Sequence, residues 1–256
     1  MTLIRSLAAL LCAVTLSSCE KNAVQDITGT LPRAAIRFFN FGVNAPSVNF
    51  YANATKMSAV QSATGVESTL GVAYGGVSAG GAYSALDPAQ YTLAGKISAD
   101  VDKDLAVSTV SATLADGKLY SYYMSGIYNT TTKTVEAFVV EDPLATTFDF
   151  AQSYVRFVNA ISNSAPMTLF AKNTTTGAEV PIGGAVPYKG AGDFVAIPGG
   201  VYDIGTRLAG VATNAITRTA VSFSAGKVYT ISSRGDITVV STTLANRPIL
   251  DNTANR

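Results

Sequence analysis

The segment Ala35–Asn53 has the sequence AIRFFNFGVNAPSVNFYAN, and Tyr154–Asn173 repeats its pattern as YVRFVNAISNSAPMTLFAKN. Both contain, in the same order, an arginine, an aromatic residue, an asparagine and an Ala-Pro pair, so that Arg37 aligns with Arg156. Each segment predicts a strand, a turn and a second strand, because β-branched and aromatic runs are separated by asparagine and proline. Such a repeat constrains the architecture before any single element is assigned.

A second pair of segments follows in both halves. Leu114–Tyr120 (LADGKLY) aligns with Phe223–Tyr229 (FSAGKVY), and each has a large apolar residue, a glycine turn and a tyrosine entering a strand. This arrangement resembles the tyrosine corner of immunoglobulin-like sandwiches, in which the hydroxyl bonds to the backbone just upstream. We therefore expect Tyr120 and Tyr229 to be structural residues.

These patterns predict an all-β fold. Short strands are separated by turn residues, and no long 3.6-residue periodicity interrupts them after the N-terminal segment. We expect two tandem immunoglobulin-like antiparallel β-sandwich domains, at residues 33–142 and 153–245, with the junction between them. The tail after Leu244 lacks alternation and is expected to fray.

The N-terminus has the pattern of a secretory signal. Met1–Ser6 carries one positive charge, and the apolar run Leu7–Leu16 is shorter than the about 20 residues that span a bilayer. Small residues follow, which indicates a signal peptide over residues 1–18. Leu16-Ser17-Ser18-Cys19 resembles the lipobox of bacterial lipoproteins, in which the cysteine is acylated and becomes the first residue. An ordinary secreted protein with an incidental cysteine is the alternative.

This resemblance implies a location. Cys19 would carry the acyl chains, palmitate among them, and a lipidated tether over residues 19–32 would hold the body at the membrane. Glu20 follows the cysteine in place of the aspartate that retains many lipoproteins at the inner membrane. The implied address is the cell envelope, with the outer membrane preferred.

Both halves also resemble the bacterial "domain of unknown function 4397" family. The segments that match its pattern are Ile36–Asn40, Val48–Tyr51, Pro187–Tyr188, Pro198–Tyr202 and Ala225–Tyr229. Asn40 and Asn159 stand where the first strand of this family often ends in histidine. Because the family has no established activity, the resemblance implies a fold and a location and no reaction.

Composition excludes several classes of function. The chain has no histidine, which excludes a Ser-His-Asp triad and a histidine metal site. With Cys12 in the signal peptide and Cys19 lipidated, no thiol is left for a disulfide, zinc or a nucleophile. A net charge of +1 without a basic cluster lacks the electrostatic attraction that drives nucleic-acid binding. We expect no cofactor and no nucleic-acid partner.

One carboxylate cluster has the composition of a calcium site. Asp100, Asp102 and Asp104 alternate along the chain, and alternating carboxylates can converge on Ca²⁺. The segment departs from an EF-hand loop at Leu105, where glycine is needed, and at Ser111, where glutamate is needed. A solvated loop is the alternative interpretation.

Two further groups have the composition of possible sites. Alternation places Tyr120 and Tyr122 on the core face of a strand, which leaves Tyr123 and Tyr128 as candidates for stacking against sugar rings. Ordinary surface or interdomain packing is the alternative for both. Glu141-Asp142 at the junction could add metal ligands, although an exposed acidic pair is the simpler expectation.

Taken together, the sequence predicts a non-catalytic cell-envelope lipoprotein that acts as a binding or structural module. Its expected partners are the membrane, through the lipid on Cys19, and an unknown envelope protein or polysaccharide. One alternative is a carboxylate-only glycoside hydrolase, which needs two acids about 5 to 10 Å apart in a cleft. The other is a subunit of an envelope assembly, which needs an exposed apolar patch.

Overall fold

The computed structural model describes residues 34–59, 64–143 and 147–255. The predicted signal peptide 1–18, Cys19 and the tether 19–32 lie outside the described residues. Apart from one 3-10 turn at Ser78–Gly81, the regular structure of the described residues consists of strands, in agreement with the all-β prediction. In this part of the chain, no helix is long and apolar enough to cross a bilayer.

Nine strands form the first half of the described chain. They are β1 (Ala34–Val43), β2 (Val48–Ala52), β3 (Thr55–Lys56), β4 (Gly76–Val77), β5 (Ser84–Leu86), β6 (Ala89–Ile97), β7 (Ala106–Leu114), β8 (Leu119–Asn129) and β9 (Thr134–Glu141). One sheet has the order β4-β1-β8-β9, with β5 also paired to β1, and the other has the order β3-β2-β6-β7. Both sheets contribute to one apolar core, in which Phe38 stacks on Phe50.

Eight strands form the second half. They are β10 (Gln152–Asn159), β11 (Met167–Asn173), β12 (Glu179–Val186), β13 (Val195–Pro198), β14 (Gly200–Leu208), β15 (Ile216–Phe223), β16 (Val228–Arg234) and β17 (Ile249–Ala254). The sheet orders are β13-β10-β16-β17 and β12-β11-β14-β15. Phe157, Leu169 and Ile231 lie in a second, separate core.

The two halves have the same strand order. β1, β8 and β9 take the places of β10, β16 and β17, and β2, β6 and β7 take those of β11, β14 and β15. The register agrees as well, since Ile36 lies opposite Tyr120 and Val155 lies opposite Tyr229. The sequence repeat is therefore a repeat of topology. From Ala34 onward, both halves belong to one structural unit.

The predicted antiparallel arrangement is wrong for one strand pair in each half. β1 and β8 run parallel, as do β10 and β16, whereas the other described pairs that form these sheets are antiparallel. Parallel neighbours need a long connection, which the intervening strands of each half supply. Alternation shows which face of a strand is buried but not the direction of its neighbour, so this pairing left no signal in the sequence.

The C-terminal segment is a strand, so the expectation that the tail after Leu244 frays is wrong. β17 pairs with β16 from Ala254 opposite Tyr229 to Ile249 opposite Arg234. Leu250 is buried in the second core. Main-chain hydrogen bonds hold a strand whatever its side chains, so the polar sequence ILDNTA gives little signal. The second half thus extends beyond the predicted boundary at residue 245.

Both tyrosine hydroxyl contacts expected from the sequence are present. The hydroxyl of Tyr120 accepts a hydrogen bond from the Ala115 N–H at 3.1 Å, and that of Tyr229 accepts one from the Ser224 N–H at 3.0 Å. Gly117 and Gly226 stand at the intervening turns with φ of 71° and 75°, a conformation that glycine adopts without strain. Each tyrosine therefore closes the turn that precedes its strand.

Candidate functional site

Buried aromatic and charged residues lie where the two halves meet. β1 is buried along nearly its whole length, because its second face is covered by the other half. Phe39, Phe41 and Tyr123 pack there with Val158 of β10. A strand covered on both faces has a near-continuous apolar sequence, which accounts for the run of aromatic residues in β1.

A buried charge cluster, formed by Arg37, Asp142 and Arg156, lies at this boundary. The three side chains are 0 to 1% exposed. Arg156 Nη2 donates a hydrogen bond to Asp142 Oδ1, and Arg37 Nη2 lies 3.7 Å from Asp142 Oδ2. The hydroxyl of Ser121 also donates to Asp142 Oδ2, at 2.7 Å. The expectation that Asp142 belongs to an exposed acidic pair is therefore wrong, because the two guanidiniums and Ser121 compensate its burial.

Each arginine of the cluster joins its own half to the last strand of the other half. Arg37 Nη1 donates to the Ala254 carbonyl in β17 at 3.1 Å, and Arg156 Nη1 donates to the Glu141 carbonyl in β9 at 2.8 Å. Hydrogen bonds that involve a charged group are the stronger kind. The two contacts therefore hold the halves together reciprocally.

The Nε atom of each guanidinium is bound within its own half. Arg37 Nε donates to Ser121 Oγ at 2.9 Å, and Arg156 Nε donates to Thr230 Oγ1 at 3.1 Å. An aromatic ring covers each guanidinium, at 4.6 Å for Tyr83 over Arg37 and 4.8 Å for Phe194 over Arg156. Guanidinium and ring attract each other in this arrangement. The contacts of Nε, of Nη1 and of the covering ring are thus repeated in the two arginines, whereas only Arg156 forms a hydrogen bond through Nη2.

Asp142 is the point at which the repeat is broken. Its counterpart is Asn255, since the N–H of Asp142 bonds to the Leu119 carbonyl and the N–H of Asn255 bonds to the Val228 carbonyl. Asn255 Oδ1 accepts a hydrogen bond from Thr230 at 2.8 Å. One carboxylate therefore serves two guanidiniums, and a neutral amide occupies the second position.

Tyr83 links these two positions. Its hydroxyl donates to Asp142 Oδ2 at 2.5 Å and accepts from Asn255 Nδ2 at 3.2 Å. Burial, reinforced by the adjacent carboxylate, raises the pKa of Tyr83 well above its usual value of 10.0. The phenol therefore stays protonated and continues to donate to the carboxylate.

Of the two interpretations of Tyr123, ligand stacking and packing between the halves, the structure shows the second. Its ring stacks on Phe39 at 4.6 Å and on Phe138 at 5.1 Å, and the residue is 0% exposed. Its hydroxyl lies 3.1 Å from Ser232 Oγ of the second half. The second half covers the face that alternation assigned to solvent, so Tyr123 belongs to the boundary between the halves.

The other predicted candidates are not brought together into a site. Tyr128 is half-buried and packs against the edge of the first core. Asp102 forms an ion pair with Lys133 at 2.6 Å, and Asp104 accepts a hydrogen bond from Tyr51 at 3.2 Å. Asp100 is exposed. Among the described residues, no three of His, Cys, Asp and Glu are grouped so that they could hold a metal.

Three surface clefts lie in the second half. Their volumes are about 370, 360 and 420 Å³. The first lies beside Phe170 and Arg207, the second is mainly apolar and lies beside Tyr202, and the third contains Arg218, Arg234, Arg247 and Asp251. None of these three is lined by two carboxylates, the pair that the glycoside hydrolase alternative requires.

Two features of the boundary had a signal in the sequence. Arg37 and Arg156 are aligned charges inside apolar strands, and charged residues are seldom fully buried unless paired. That pattern could have marked them as members of an ion cluster. Asp142 gave no such signal, because an acidic pair followed by proline has the composition of an exposed loop.

No protein-family model matches the chain, and no curated protein matches it. The solved structure of the Bacillus anthracis TIE protein is similar at 15% sequence identity and a TM-score of 0.23. The similarity covers 77% of this chain and 32% of that one, so this chain spans about a third of that protein's length.

Proposed function

We propose that this chain is a non-catalytic lipoprotein of the cell envelope that acts as a binding or structural module. The buried charge cluster carries the structural part of this proposal. Its three ionisable groups are buried and pair with one another between the two halves. They therefore stabilise one fixed arrangement of the halves. A pair of sandwiches fastened in this way suits a protein that presents a fixed surface at a distance from a membrane.

The anchoring part of the proposal rests on the sequence Leu16–Cys19. A charged start, a short apolar run and small residues before a cysteine are together the pattern of a lipoprotein signal. A single short acyl chain binds a membrane only weakly, whereas two or more give stable attachment. Glu20 after the cysteine favours the outer membrane as the address.

The experiment compares two cysteine variants in a bacterial expression host. Cys19→Ser should abolish incorporation of labelled palmitate and move the protein from the membrane fraction to the soluble fraction. Cys12→Ser is the matched control, because this cysteine lies in the predicted signal peptide, and its variant should remain labelled and membrane-bound. A Cys19→Ser protein that is still lipid-labelled would contradict the proposal.

A further inference from the structure

A cleft of about 420 Å³ lies between β15, the end of β16 and the start of β17. We call it the arginine cleft, after Arg218, Arg234 and Arg247 in its lining. Asp251 is the one acidic residue of this lining. The volume of the arginine cleft falls in the range of about 300 to 1,000 Å³ that is typical of small-molecule sites.

The charges of the arginine cleft are unbalanced. Asp251 pairs with Arg234, with Nε and Oδ2 2.5 Å apart. Arg218 and Arg247 form no ion pair with any described acidic residue. Two positive charges of the cleft therefore lack a counter-charge from the described protein.

All three side chains are already held in place. Arg218 Nη1 donates to the Leu250 carbonyl at 2.8 Å, and Arg247 Nη1 donates to the Leu244 carbonyl at 2.9 Å. The side chain of Arg234 is 13% exposed, and its guanidinium lies 5.0 Å from the ring of Tyr74. Side chains that are fixed before a ligand arrives lose less entropy on binding.

The first half has no charged residues at the positions that correspond to Arg234 and Asp251. Arg234 and Asp251 occupy the positions that Ser125 and Phe138 occupy in the first half, as the pairings of β16 with β17 and of β8 with β9 show. Ser125 bonds there to the Tyr188 hydroxyl at 3.0 Å, and Phe138 stacks on Tyr123. The same framework is thus complete with a neutral pair, and the charged pair is an addition specific to the second half.

We infer that the arginine cleft binds an oxyanion, a carboxylate or phosphate group carried by a larger ligand. Planar guanidiniums present paired N–H donors that match the oxygen atoms of both groups. Arg218 and Arg247 would make the direct contacts, while Arg234 stays paired with Asp251 and supports the wall of the cleft. The inference rests on the binding alternative of the proposed function and names its ligand class.

The test titrates the full chain in neutral detergent with three probes at low ionic strength, by calorimetry. Inorganic phosphate and polygalacturonate represent the two sources of oxyanion, and dextran is the uncharged control. We expect one or both anions to bind, dextran not to bind, and added salt to weaken binding because it screens charge. The anion that binds more tightly identifies the source.

Variants locate the binding. Arg218→Gln and Arg247→Gln should each weaken it about tenfold, the loss expected for one hydrogen bond to a charged group. Arg207→Gln is the matched control, because Arg207 lies in a different cleft and pairs with both oxygens of Glu179 at 2.7 and 2.8 Å. Thermal unfolding of each variant checks that the fold is intact.

Two results would overturn the inference. One is the absence of binding for both anions, and the other is an equal loss in Arg207→Gln, which would indicate unspecific attraction. Neither result bears on lipid attachment, which the Cys19→Ser comparison tests separately. A failure of the arginine cleft is therefore distinguishable from a failure of the proposed anchor.

Discussion

Tyr123 and Ser232 occupy the same position in the two halves, and their side-chain oxygens lie 3.1 Å apart across the boundary. Tyr123 follows Tyr120 by three residues in β8, and Ser232 follows Tyr229 by three residues in β16. Tyr120 and Tyr229 are themselves equivalent, since each closes the same turn. Equivalent residues therefore contact each other.

The arginine contacts obey the same rule. Arg37 reaches the carbonyl of Ala254, and Arg156 reaches the carbonyl of Glu141. Ala254 and Glu141 are equivalent, because each pairs with the tyrosine that closes the turn of its half. A contact in which residue i meets j and j meets i is the mark of a two-fold interface. The halves thus meet as the subunits of a symmetric dimer do, although they belong to one chain.

Removing the carboxylate of the buried charge cluster should destabilise the protein strongly. Asp142→Asn leaves Arg37 and Arg156 buried without a counter-charge. Loss of one partner from a buried ion cluster costs about 3 to 5 kcal/mol. Urea unfolding should show a decrease of this size in the free energy of unfolding.

The neighbouring acid supplies the control for that variant. Glu141 pairs with Lys118 at 2.7 Å, with both side chains partly exposed, and Arg156 uses only the main-chain carbonyl of Glu141. Glu141→Gln should therefore cost less than about 1 kcal/mol. Similar small losses in the two variants would show that the cluster does not stabilise the fold.

Cutting the chain between the halves should not separate them. A protease site inserted after Pro143 allows cleavage at the predicted junction of residues 33–142 and 153–245. Because Arg37, Arg156 and the Tyr123 ring hold the boundary without help from the linker, the two fragments should co-elute from a sizing column. The fragments of the Asp142→Asn variant should bind each other more weakly. On dilution they should therefore separate at a higher protein concentration than the unsubstituted fragments do. Separation of the unsubstituted fragments at micromolar concentration would contradict the description of the boundary.

Removing one hydroxyl should measure the turn contact of the second half. Tyr229→Phe loses the hydrogen bond from the Ser224 N–H. Ser224 is exposed, so water can replace the hydroxyl, and the expected cost is about 1 kcal/mol, at the lower end for a hydrogen bond. Tyr128→Phe is the control, because the Tyr128 hydroxyl makes no hydrogen bond to a described residue. Equal stability of Tyr229→Phe and the unsubstituted protein would show that the contact is dispensable.

A second ion pair across the boundary should make stability depend on pH. Lys189 of the second half lies 2.9 Å from Glu136 of the first and holds the pKa of that carboxyl below its usual value of 4.5. A pKa lowered in the folded state means that the stabilisation is present above about pH 4.5 and is lost as the pH falls through the folded pKa.

The measurement follows unfolding of the unsubstituted protein and of Glu136→Gln at several pH values. The difference between them should be below about 1 kcal/mol at neutral pH, since both side chains are partly exposed, and should vanish in acid. Adding Lys189→Gln to Glu136→Gln should remove no further pH dependence. A difference that grows in acid has the opposite sign and would refute the assignment.

The sequence predicts well what depends on local signals. The glycine turns and the tyrosines that follow them were recognisable because an apolar residue, a turn and a tyrosine lie within seven positions, as in Leu114–Tyr120. The order of such segments was enough to predict the repeat and the all-β fold class. Residues so close in the chain can contact each other in few ways, and so the sequence predicts these contacts.

What the sequence does not predict depends on the other half of the chain. Alternation correctly separated Tyr122 from Tyr123, since Tyr122 lies in the first core and Tyr123 on the opposite face. It could not show that this face is covered, because the cover is β10 of the second half. Asp142 and the arginine cleft were missed for the same reason, since their partners come from distant strands.

The presence of Asp142 and Asn255 at equivalent positions has an evolutionary consequence. In a dimer of identical subunits, every substitution at the two-fold boundary appears twice, so two buried guanidiniums would meet either two carboxylates or none. One polypeptide that contains both copies is free of this constraint, and it has one carboxylate and one amide. Because the copies are covalently linked, natural selection can change the charge at the boundary between the halves one residue at a time.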